Sequence, residues 1–109
     1  MSKVDDFFSQ WLDAVKDFAV KSFKDARGEA ESDARTFFEA IKEDLVKWGE
    51  MYARGDLNKK HLTSLIKGEA DLAKMHKLRQ IGETKVKIDK FTNGIFDLTV
   101  NTIVKVFVP

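Results

Sequence analysis

Apolar side chains recur along the first half of the chain at a spacing of 4, 4 and 3: Val4, Phe8, Leu12, Val15, Ala19, Phe23, Ala26, Ala30, Ala34, Phe37, Ile41, Leu45, Trp48 and Tyr52. This eleven-residue repeat averages about 3.67 residues per step, close to the α-helical period, so one face holds its phase along a nearly straight rod. The pattern predicts a helix from about residue 3 to residue 54. Ser2, three residues ahead of Asp5, suits its N-cap, and Gly55 behind Arg54 suits its C-cap. After a turn at 55–57, Asn58 reads as the N-cap of a second helix, with Leu57 and Leu62 at the spacing of a hydrophobic staple.

Beyond the turn the same spacing selects Leu62, Ile66, Ala70, Ala73, Lys77, Ile81, Thr84, Ile88, Thr92, Ile95, Thr99, Ile103 and Val106. This stripe is interrupted by a lysine and three threonines but stays in phase. Phe91 and Leu98 flank it, and Phe96, Val100, Val104 and Phe107 broaden it. It predicts a second helix over about 58–107. At residues 98–108 the alternation of Val104, Val106 and Val108 also fits a strand, but a lone strand has no sheet to join, so helix is the reading adopted.

The expectation is an all-α chain, one helical domain over 1–109, built as an antiparallel hairpin of two long helices with hendecad-type, coiled-coil packing. Each arm of about fifty residues would measure roughly 75 Å. Folding about residues 55–57 places residue i near residue 111 − i, which sets Asp25, Glu29, Glu31 and Asp33 opposite the stretch containing Lys77, Arg79, Lys85 and Lys87. A rival architecture is a single-chain up-and-down four-helix bundle with breaks near Gly28, Gly55 and Gly82. The stripe runs through Gly28 without a slip, which favours the longer rods.

One seam between two helices does not use all the apolar residues. Phe7, Trp11, Ala14 and Phe18 form a stripe beside the first, and Phe38, Val46 and Met51 extend it near the turn. Left in water they would make an unusually large patch. A second copy would cover it, so a homodimer forming a four-helix assembly is expected. The expected interface comprises Phe7, Phe8, Trp11, Leu12, Phe18, Phe37, Phe38, Trp48, Ile95, Phe96, Ile103 and Phe107. Ala26, Ala30 and Ala34 would leave a thin waist between aromatic-rich ends.

Composition adds an asymmetry that the net charge of +1 conceals. Residues 1–56 hold 9 Lys/Arg and 13 Asp/Glu, whereas residues 57–109 hold 10 and 5. Pairing of the two halves within the chain is the first explanation. The chain has no cysteine, its one proline is Pro109, and its first residues lack the apolar core of a secretory signal, so a cytoplasmic protein is expected.

The chemistry-bearing residues do not form a known constellation. His61 and His76 lie fifteen apart with no cysteine to join them, and zinc needs three or four converging ligands. The adjacent pairs Asp5–Asp6 and Glu43–Asp44 would point about 100° apart on a helix, which does not suit a catalytic dyad. No Glu-x-x-His, glycine-rich phosphate loop or dinucleotide fingerprint occurs. No catalytic residue, cofactor or metal ligand is therefore assigned, and an enzyme would need a pocket made on assembly. Lys74, Lys77, Arg79, Lys85, Lys87 and Lys90 are the best candidates for nucleic-acid contact, but no aromatic residue accompanies them before Phe91, so that partner is disfavoured.

The function expected is a non-enzymatic helical scaffold that self-associates and engages a protein partner. The alternative is a protein that binds a lipid or membrane surface. The eleven-residue amphipathic period is similar to that of exchangeable apolipoproteins and other lipid-surface helices. That resemblance, one of period, implies helices lying in the interface with Phe7, Phe8, Trp11, Phe18 and Phe23 facing the lipid.

Overall fold

The first rod is two helices, not one. The structure, a computed structural model, describes residues 3–107, so the expected N-cap Ser2 and the last residues of the possible strand lie outside the described residues. Helix α1 spans Lys3–Ser22 and α2 spans Arg27–Ala53, joined by a four-residue corner, Phe23 to Ala26. Within the corner the Phe23 amide still donates to the Ala19 carbonyl (2.8 Å), and the Ala26 amide donates back to Phe23 (3.1 Å). Phe23 and Ala26 are both buried while Lys24 and Asp25 face solvent. The corner thus keeps the 4, 4, 3 count of the stripe because a tight turn with its first and last residues inside has the same spacing of three as a helical step. This corrects the expectation of one uninterrupted helix over 3–54.

The second rod is broken more severely. Helix α3 covers Lys59–Lys67, a short 3-10 turn covers Ala70–Leu72, α4 covers His76–Gln80 and α5 covers Lys85–Phe107. The breaks fall where the stripe is weakest: Ala70, Lys77, Ile81 and Thr84 are all exposed. Asn58 does cap α3, its side-chain oxygen accepting from the His61 amide (2.8 Å). Thr84, instead of joining the stripe, caps α5 through a 3.3 Å hydrogen bond from the Lys87 amide. Residues up to Phe107 are helical, which decides the helix-or-strand question over the described part of that segment.

Gly55 and Gly82 act as expected of helix-terminating glycines. Both take positive φ, +83° and +84°. Behind each, the next amide reaches back five residues (Asp56 to Met51, 2.9 Å; Glu83 to Leu78, 3.1 Å), which satisfies carbonyls that the helix end leaves free. Gly28 differs: it lies inside α2, has no positive φ and has open space around it.

Ring contacts fix the directions of the long helices. The four-residue corner joins the end of α1 to the start of α2, and Phe7, Phe8 and Trp11 near the start of α1 lie against Phe38 further along α2, with Trp11 and Phe38 centroids 4.3 Å apart, so α1 and α2 run antiparallel. Phe7 meets Phe107 and Phe18 stacks on Phe91 at 5.2 Å, so α5 runs antiparallel to α1. α2 and α5, both antiparallel to α1, therefore run parallel, with Phe37 meeting Phe96 and Gly49 facing Phe107. The segment from α3 to α4 carries the chain back from the end of α2 to the start of α5. Trp11 meets Thr99 and Asp33 meets Leu78, both within a residue of the 111 − i register. The architecture is a doubled-over hairpin, nearer to the four-helix alternative, with α3 to α4 as a broken third member. Its longest dimension is 43 Å, well short of a 75 Å rod.

One contiguous core fills the space between these elements, and it absorbs the apolar surplus. The most buried residues of α1 come from both stripes, Val15 and Ala19 from the first and Phe7 and Trp11 from the second. Phe8 faces α2 on one side and Phe18 faces α5 on the other. A wide apolar arc here serves two neighbours in the same chain. The Trp11 indole N–H donates to the Thr99 hydroxyl (3.0 Å), which itself donates to the Ile95 carbonyl (2.7 Å), so the polar atoms of this core contact are paired.

Candidate functional site

Of the twelve residues expected at a dimer interface, Phe7, Trp11, Phe37, Phe38, Ile95, Phe96, Ile103 and Phe107 are buried within one chain. Phe8, Leu12, Phe18 and Trp48 are half-buried against the same core. These eight side chains are covered within their own chain, so they are not the exposed apolar surface from which a second copy is expected. Ala26, Ala30 and Ala34 are buried too, so the expected waist is part of the core.

The expected pairing of acidic and basic halves is also replaced. The ion pairs Lys21–Asp17 (3.1 Å) and Arg54–Asp56 (3.1 Å) are local and exposed. Among the described residues, no ion pair ties Asp25, Glu29, Glu31 or Asp33 to Lys77, Arg79, Lys85 or Lys87. Asp33 does reach that stretch, but through the backbone. Buried in α2, it accepts from the amides of Lys77 (3.1 Å) and Leu78 (2.8 Å), the first turn of α4. Met75, at the N-cap of α4, has no side-chain oxygen and takes the left-handed conformation at φ 51°. Asp33 is the cap that α4 lacks locally, supplied from 44 residues away.

This latch leaves the lysines and arginine around it free to face solvent. Lys74, Lys77, Arg79, Lys85, Lys87 and Lys90 are all exposed. Between Lys74 and Lys90 the acids are Glu83 and Asp89, so this short segment is strongly cationic. It wraps the corner where α4 ends and α5 begins. The Arg79 guanidinium is steadied by the Lys74 carbonyl (2.6 Å).

Two aliphatic side chains project among these cations. Ile81 is 51% exposed and Val86 is 66% exposed, on either side of Gly82. Phe18 and Phe23, both packed on Phe91, bring the end of α1 to the first turns of α5, which places the exposed Val20 at the same end of the bundle. Three of the four large exposed apolar residues of the described chain therefore sit at one end, the fourth being Leu72.

An open groove of about 710 Å³ lies between α1 and α5, with Ala14, Phe18 and Leu98 as its floor and Asp13, Asp17 and Asp97 at its rim. The helices come close there because Gly94 has no side chain: a Cβ at that position would strike the Phe18 ring. His61 and His76 are exposed, and no group of three or more metal-ligating side chains converges among the described residues. No helix among the described residues is long and apolar enough to cross a membrane.

Sequence reading located the cationic run but misplaced its apolar companions. Ile81 was assigned to the inward stripe, although its position directly before a helix-ending glycine marks it as a cap residue at a corner. Val86 falls outside the stripe, which was a usable signal of exposure. Val20 falls outside both stripes of the first half and carries the same signal. Compared with known protein families, curated proteins and solved structures, the chain matches none.

Proposed function

We propose that this protein is a non-enzymatic interaction module that docks an anionic partner on the α4–α5 corner. The observation that carries this reading is the set of six exposed cations over 74–90, with no ion pair drawn from the acidic half of the chain. Unneutralised like charges crowded on one surface are a cost to the folded state, and an anion bound there relieves it. The rest of the bundle serves as a rigid mount. Asp33 holds α4, Gly82 sets the corner, and the aromatic core fixes α5 against α1. The self-associating scaffold expected from the sequence rests on exposed aromatic residues, most of which are buried here; of the residues the lipid-surface alternative sets against lipid, Phe7, Trp11 and Phe23 are buried and Phe8 and Phe18 half-buried, so it has less support.

The test is retention on immobilised heparin, a generic polyanion, compared between two variants of equal net charge. Lys85→Glu/Lys87→Glu/Lys90→Glu removes the corner cations, whereas Lys47→Glu/Lys59→Glu/Lys60→Glu removes exposed cations elsewhere. The first variant is expected to elute at clearly lower salt than the second. Equal elution would mean that total charge, not this surface, governs binding, and would overturn the reading.

A further inference from the structure

Resting on that reading, we infer that the anionic partner is the surface of a lipid bilayer, into which Ile81, Val86 and Val20 insert while the surrounding lysines and arginine contact headgroups. Cations alone would suit any polyanion. The exposed aliphatic residues narrow the choice. A nucleic-acid backbone offers nothing for Ile81 or Val86 to bury against, and the aromatic residue of this segment that could stack on a base, Phe91, is itself buried. A folded protein partner would need a concavity or complementary relief. The nearby hollow, lined by Arg79, Glu83, Lys85 and Ile88, is only about 160 Å³. A bilayer needs no preformed fit, because headgroups and acyl chains close around whatever projects.

The geometry matches what interfacial binding requires. Ile81 and Val86 bracket the α4–α5 corner, and Val20 lies at the end of α1 that Phe18 and Phe23 hold against the start of α5, so all three lie toward one end of the molecule. Lys21, Lys24 and Arg27 flank them from α1 and α2, and Lys77, Arg79, Lys85, Lys87 and Lys90 from α4 and α5. Asp17, which pairs with Lys21 (3.1 Å), and Asp25, Glu83 and Asp89 lie at this end as well, so the cationic excess is moderate and attachment is reversible and salt-sensitive. This differs from the apolipoprotein-like arrangement implied by the eleven-residue period. There the stripe itself meets lipid, whereas here the stripe is core and its interruptions form the contact.

Flotation with phosphatidylcholine vesicles, with and without phosphatidylserine, tests the inference on the full chain. Binding is expected with phosphatidylserine and not without it. Each lysine near an anionic surface contributes about a fivefold gain in partitioning, so Lys85→Gln/Lys87→Gln/Lys90→Gln should lower it roughly a hundredfold. Ile81→Ser/Val86→Ser keeps every charge and should lower it at least tenfold on the scale of methylene transfer. Val20→Ser, on a different helix, should lower it in the same direction with an unchanged melting temperature.

Failure to bind phosphatidylserine vesicles would overturn the inference. So would an Ile81→Ser/Val86→Ser protein that binds them as well as the parent, a result that leaves anionic docking intact. Binding to duplex DNA with the same lysine dependence, and not to vesicles, would overturn it in favour of a nucleic acid. A lysine variant indistinguishable from the charge-matched control on both heparin and vesicles would overturn the docking reading itself.

Discussion

Asp33 is the side chain whose replacement should cost most for its size. Each of its two carboxylate oxygens accepts one α4 amide, so Asp33→Ala leaves two amides without a partner where water reaches poorly. A loss of about 1–3 kcal/mol is expected by urea denaturation. Asp33→Asn keeps a similar shape but sets an NH₂ against one of the two N–H groups, and should recover only part of that loss. A second test concerns Gly94, where an alanine Cβ would drive into the Phe18 ring stacked on Phe91. Gly94→Ala should destabilise by about 1–3 kcal/mol despite alanine's better helix propensity, and a thermal melt would show it. Gly49 stands in the same relation to Phe107, its missing Cβ falling 2.8 Å from the ring. Nothing in the sequence marks these two glycines as packing sites, because the rings that need them come from other helices.

At the level of elements, the three glycines first considered as breaks separate into two kinds. Gly55 and Gly82 hold positive φ, so an alanine there carries a left-handed backbone strain of roughly 1–2 kcal/mol. Gly28 sits in an ordinary helical turn with room for a methyl group, so Gly28→Ala should be neutral or stabilise by up to about 1 kcal/mol. Measuring Gly28→Ala beside Gly82→Ala by denaturant midpoint would show opposite signs if the corner is at 23–26 and not at Gly28. Helix type, the cap at Asn58 and the turn at Gly55 were legible because each depends on residues within one helical turn, whereas the turn at Gly82 belongs to the rival four-helix reading and not to the helix expected over 58–107. The corner at Phe23 to Ala26 was not, since it contains neither glycine nor proline and preserves the spacing of the stripe. The fragmentation of 68–84 leaves a trace in the sequence as a lysine and a threonine, Lys77 and Thr84, in stripe positions.

For the molecule as a whole, closure of the core within one chain changes the expected solution behaviour. Scattering and sedimentation should report a particle of one chain's mass with a longest dimension near 43 Å. A radius of gyration close to 13.7 Å also fits the roughly 13 Å of a globular chain of this length. A particle of twice the mass would revive the second copy, with half-buried Phe8, Leu12 and Trp48 as the residues to examine. The cationic segment of the candidate surface was readable from composition. Val86 and Val20 fall outside the stripes, but their gathering with Ile81 was not readable, because it depends on where the chain turns and on the packing of α1 on α5.

By itself the sequence determined that the described chain is helical, which face of α1, α2 and α5 turns inward, where the turn at Gly55 falls and that residues such as Trp11 and Thr99 lie near one another about a centre close to it. These follow from local backbone preference and from the phase of the apolar residues. Only the tertiary structure decided that the hairpin doubles over, that the aromatic surplus finds its cover within the same chain, and that Asp33 caps a helix it is not part of. The physical reason is that periodicity records which side of a segment avoids water but carries no label for what covers it. That choice is made by contacts such as Trp11 to Thr99, 88 residues apart, whose partners become neighbours only once the whole chain has folded.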